Sequence, residues 1–187
     1  WLAVGASSSL LDAASFQVAD LPTGFAAWTE GQTITLDTSG AGWGWFVDGT
    51  PLDASEFGNA DSDTAWHEAD EEAADNPAVG KLDLLTVLIH ELGHIVSLPS
   101  TATANDVMSQ YLAPGQRRLL SATDVAALQA AGQVTQVDER LALRRFDAVN
   151  ESFGGKAHTI LIDPNLPSFS PLGVRSITEE GIQRLLG

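Results

Sequence analysis

The chain has 187 residues, 44% of them hydrophobic and 18% charged, which suits one domain with a real core and excludes a disordered chain. It has no cysteine, so disulfides and thiolate metal sites are excluded, and a transition metal has only His, Asp, Glu, Tyr or water to bind. The net charge of -16 sits entirely in residues 1–116, with one lysine against 17 acidic residues, a balance that repels nucleic acid and anionic membranes.

Residues 7–48 read as strands and turns: SFQVAD, then GQTITLD with Ile34 and Leu36 on one face, then GWGWFVD, separated by PTG and TSGAG. Residues 49–80 are acidic and broken by Pro51, Gly58, Pro77 and Gly80, so a long irregular loop is expected, with a short helix near 65–74. From 81 to 98, KLDLLTVLIHELGHIVSL places Leu85, Leu88, Leu92 and Ile95 at helical spacing, and Pro99 stops it. Its other faces carry Leu84, Val87, Ile89 and Val96, so this helix is predicted to be central and buried.

SATDVAALQAAG, 121–132, has a Ser cap, Asp three residues on and Gly132 at its end, which predicts a further helix. Another is predicted from Asp138 to Phe153, with Ala142, Phe146, Val149 and Phe153 on one face. HTILID reads as a strand, and SITEEGIQRLL opens with a Ser-x-x-Glu capping box. No apolar run approaches the ~20 residues of a membrane span. The chain opens at Trp1 without an initiator Met and reads as a processed or excised piece of something longer.

Chemistry concentrates in the central helix. His90 and His94 stand four apart, on one face, so both imidazoles can reach one cation, with Glu91 beside them. The same pattern fits two hydrogen-bonded histidines of no catalytic use. The apolar helix favours the metal, because burying two His and a Glu without a metal or partners is costly. Glu91 is then the natural general base for a water acidified by zinc.

Beyond HELGH the sequence resembles the metzincin metallopeptidases, in particular the matrixin-like branch, whose signature is HExxHxxGxxH followed by a methionine-bearing turn and a short helix. His90, Glu91 and His94 match, Met108 in NDVMS stands at the methionine turn, and 121–132 resembles the closing helix. The likeness covers roughly residues 1–132. It implies an α+β fold: a small twisted mixed sheet, a central HExxH helix, a Met-turn and a C-terminal helix. It also implies a secreted or cell-surface zinc endopeptidase acting on polypeptide, as a monomer or as part of a larger chain. Peptide would bind along an edge strand near 33–37 or 43–48, with residues 109–115 lining the specificity pocket.

Two departures bear on that implication. Ser97 stands at the family's glycine position and Ser100 at its third histidine. Asp106, two residues before Met108, is taken as the third metal ligand; Tyr111, His67 and water are the other replacements, Tyr111 alternatively stabilising the transition state, while His158 reads as structural. The rival readings are an adhesion or scaffold module that keeps the fold without competent zinc, and a self-processing module of a larger surface protein. Calcium is admitted by the acidic cluster Asp61, Asp63, Asp70, Glu71, Glu72 and Asp75, which lacks the spacing of a calcium-binding hand.

Element order adds a further expectation. The family places a strand and helix ahead of the Trp that opens this chain, and a strand and helix start are what end it. Residues 1–132 therefore read as the catalytic core and 133–187 as an extension. Either 157–187 return to complete the same domain by circular permutation, with 157–163 adding a strand to the sheet, or they belong to a neighbouring unit. Return to the same domain is the preferred reading.

Overall fold

The computed structural model describes residues 1, 5–51, 55–58, 65–70, 75–132 and 158–162. In chain order the elements are α1 (Ser8–Asp12), β1 (Ser15–Ala19), β2 (Phe25–Glu30), β3 (Thr33–Asp37), β4 (Trp45–Phe46), β5 (Trp66–Glu68) and β6 (Leu82–Asp83). They continue with α2 (Leu84–Ile95), β7 (Tyr111–Leu112), β8 (Gln116–Arg118), α3 (Ala122–Ala130) and β9 (His158–Ile162). This is a mixed α+β architecture. Among the described residues no helix is long and apolar enough to cross a membrane. The helices expected over 138–153 and from Ser176 lie outside the described residues.

The main sheet has the order β1-β3-β2-β9-β7. β2 and β3 form an antiparallel hairpin, Glu30 opposite Thr33, turned by Gly31 at φ +60°, which a residue bearing Cβ would resist. β1 lies parallel to β3, β9 antiparallel to β2, and β7 parallel to β9. β9 therefore occupies the slot between β2 and β7. Two short pairs complete the strands, β4 parallel to β6 and β5 antiparallel to β8.

Several expectations are corrected here. Thr33–Asp37 is flanked by β1 and β2, so it is interior and offers no edge for a peptide. The short helix expected near 65–74 is instead strand β5 over its described part, because Trp66–Glu68 finds a partner in β8, more than 45 residues away and invisible to local patterning. β2 was not anticipated: FAAWTE is centred on two alanines, poor strand formers by composition. Ala26 and Ala27 are buried, in the apolar cluster that also holds Leu84, Val87 and Leu88 of α2.

α2 is buried on nearly every side, and each fully buried Leu or Val contributes roughly 1.5–3 kcal/mol. It is shorter than the 81–98 pattern because Leu82 and Asp83 are committed to β6, and Asp83 caps the helix by accepting from the Thr86 N–H. Asp83 also receives Arg117 Nε at 3.0 Å and Nη2 at 2.9 Å, while Arg117 Nη1 reaches Asp48 at 2.7 Å. The guanidinium lies 4.6 Å from the Phe57 ring centre and 5.7 Å from that of Phe46. One buried cation thus ties β8, β4 and the start of α2 together.

At its other end α2 closes with the Leu98 N–H on the Gly93 carbonyl and the Ser97 N–H on that of His94. This closure needs a left-handed residue, and Ser97 takes φ +68°. The glycine expected there in the resembling family answers the same demand. α3 is held by a reciprocal box between Ser121 and Asp124, as its sequence predicts.

Candidate metal centre

The last two turns of α2 present His90 and His94 side by side, and each ring is oriented by a backbone carbonyl. His90 Nδ1 lies 2.8 Å from Val107 O and His94 Nδ1 lies 2.7 Å from Leu98 O. A carbonyl only accepts, so both Nδ1 atoms carry the proton, and a neutral ring held this way turns an Nε2 lone pair inward. The two Nε2 atoms stand 3.0 Å apart. Lone pairs that close repel unless a proton or a cation sits between them.

Carbonyl-oriented imidazoles with converging Nε2 atoms are what a histidine-bound metal requires. The third position is poorer. Ser100 Oγ lies 3.5 Å from His94 Nε2, and among the described residues no group of three His, Cys, Asp or Glu gathers at one point. The donor set thus suits zinc through two nitrogens, with a hydroxyl beside them.

Glu91 is fully buried and turns toward the sheet. Its Oε2 accepts from Thr29 Oγ1 at 2.6 Å, and the Ile160 backbone N–H lies by the same carboxyl. Burial pushes its pKa to about 8, against those two donors, which favour the charged form. Oε1 has no hydrogen-bond partner among the described residues.

Asp106 does not join the histidines. Its Oδ1 accepts from the Met108 N–H at 2.7 Å, closing a turn, and the carboxyl faces Asp124 and Arg118. Burial is the main cause holding that carboxyl above its usual range, the Met108 N–H opposes it, and Asp124 reinforces it. The turn it closes delivers the Val107 carbonyl to His90, so Asp106 acts on the site one step removed. Asp in a loop is more often such a turn-maker than a ligand.

Met108 is buried beneath α2 against Gly93, where a Cβ would overlap its Sδ and meet Cε at 2.9 Å and Trp1 at 3.0 Å. Trp1 donates from its indole to the Ile89 carbonyl at 2.9 Å. Tyr111 is 37% exposed on the edge strand β7, and its carbonyl accepts from Arg118. His67 is buried in β5 rather than being a solvated loop residue, and among the described residues it joins no metal-binding group. Most of the acidic cluster considered for calcium lies outside the described residues.

Three functional neighbours escaped the sequence: Thr29, Arg117 and the Ile160 backbone. Only Arg117 left a signal, since Asp48 follows the apolar WFV and Asp83 stands among Leu82, Leu84 and Leu85, and buried carboxylates need a cation.

A family model described as matrixin, of the peptidases, matches residues 11–131. No curated protein and no solved structure matches the chain.

Proposed function

Because the chain belongs to the matrixin family of peptidases, we propose that it is a zinc-dependent endopeptidase whose metal is held by His90 and His94, with Ser100 and water beside them. The observation that carries this reading is the pair of Nε2 atoms 3.0 Å apart, each on a ring whose Nδ1 is fixed by a carbonyl. Zinc, when bound, supplies Lewis acidity toward a scissile carbonyl and brings the pKa of water down to about 7.

The protein's own groups do the rest. Glu91, one residue along the helix from His90, takes the proton of the attacking water and returns it to the leaving amine. The Met108 turn supports the histidines from below, and residues 109–115 line the side-chain pocket. Tyr111, exposed three residues after Met108, is assigned to transition-state stabilisation. Secretion or display at the cell surface, and completion of the core by residues 157–187 through circular permutation, belong to the same reading; the pairing of β9 with β2 and β7 supports the latter.

The second reading is a scaffold module that has lost its chemistry, favoured by Ser100 at the third ligand position and by the complete burial of Glu91. Zinc-reconstituted protein and Glu91→Ala, assayed on a mixed fluorogenic peptide library, separate the two. Cleavage by the wild type and its loss, by at least about 100-fold, in Glu91→Ala is the expected result. Equal and negligible cleavage by both would leave the scaffold module.

A further inference from the structure

A general base must offer one lone pair in one place, and a free Glu side chain, with three rotatable bonds, does not. The HELGH motif explains where Glu91 starts from but not what holds its carboxyl. Two groups from the sheet do. Thr29 Oγ1 in β2 donates to Oε2 at 2.6 Å, and the Ile160 backbone N–H in β9 lies by the same carboxyl and favours its charged form. Thr29, Glu91 and Ile160 are all buried, so water does not replace these contacts when they are lost. A bulge interrupts the β2–β9 ladder between Phe25 and Ala27, beside Ile160, and bulges re-aim groups near sites.

The two oxygens of Glu91 therefore differ. Oε2 is tied down, whereas Oε1 is buried with no hydrogen-bond partner among the described residues. Buried polar atoms are nearly always satisfied, and one that is not calls for a role.

We propose that Thr29 and strand β9 at Ile160 are positioning groups for the base: they fix the Glu91 carboxyl and leave Oε1 as the atom that takes the proton. The proposal rests on the peptidase reading and deepens it. β9 comes from outside residues 11–131, so the site is completed by a stretch that the family match does not reach. Docking of His158–Ile162 into the sheet and turnover are then coupled, although no side chain of β9 needs to touch substrate.

The test uses the full chain, reconstituted with zinc, and measures kcat and KM on the mixed fluorogenic peptide library for wild type, Thr29→Val and Thr29→Ser. Thr29→Val, which keeps the shape and removes the hydroxyl, is expected to lower kcat about 10–100-fold with KM and zinc content unchanged. Thr29→Ser, which keeps the hydroxyl, should recover most of it. Amide spectra of the metal-free protein supply a readout independent of turnover: Glu91→Gln should shift the Ile160 amide more than any other in β9. An active wild type with an indifferent Thr29→Val, or an Ile160 amide deaf to Glu91→Gln, overturns the positioning role alone. A wild type that binds zinc and cleaves nothing overturns the peptidase reading, and the catalytic role falls with it.

Discussion

The two ends of α2 are fastened by opposite kinds of chemistry. Its N-terminus is anchored by a buried, charged network in which Asp83 caps the helix and pairs with Arg117, itself bonded to Asp48. Its C-terminus is held through main-chain groups and packing: a left-handed Ser97, ring-to-carbonyl bonds from His90 and His94, and the Met108 side chain against Gly93. Strain and close-packed polar groups collect at the second end, where the candidate metal site lies, while the first end is over-determined. A site that must keep two imidazoles converging benefits from a helix whose other end does not move.

Predictions that break this contrast fall in order of size. The largest concerns Glu91, midway between the two ends. Its folded pKa, about 8, is above the ordinary 4.5. At low pH the carboxyl is protonated in both states and nothing is lost. As pH rises through 4.5 toward 8 the unfolded chain ionises first, so stability falls, by on the order of 5 kcal/mol for the metal-free protein. Urea unfolding at pH 5 and pH 8 checks this, and Glu91→Gln should flatten the difference.

Arg117→Ala is expected next, at about 3–5 kcal/mol, because it leaves Asp48 and Asp83 buried without their cation. Thermal unfolding measures it, and a loss under 1 kcal/mol would deny the anchor. At the other end, Gly93→Ala forces a Cβ into Met108, backed by Trp1, and should destabilise by about 1–3 kcal/mol while weakening zinc binding. The smallest effect has the opposite sign. Ser97→Gly relieves a left-handed serine and should stabilise by about 1 kcal/mol.

What was legible in the sequence follows the range of the forces involved. α2 and α3 were readable because caps, helical spacing and the HELGH pattern act within a few residues. The strand at His158–Ile162 was readable from its β-branched run. β2 was not, since its Ala26 and Ala27 are chosen for close packing in the core they share with α2 rather than for strand propensity. The Arg117 anchor was hidden because its partners stand 34 and 69 residues away. Asp106 was assigned to the metal by proximity in sequence to Met108, whereas in the fold its carboxyl is consumed by the turn that presents Val107. Thr29 and Ile160 reach Glu91 only because two strands far apart in sequence become neighbours.

The central claim is that His90 and His94 alone supply the strong metal donors, and zinc affinity measured by competition with a chromogenic chelator tests it most directly. The wild type should bind about one zinc per chain, His90→Ala should lose it, Asp106→Ala should retain most of it, and Ser100→His, which adds a third imidazole beside His94, should bind roughly 100-fold more tightly. No zinc in the wild type, or unaltered affinity in His90→Ala, would contradict the account.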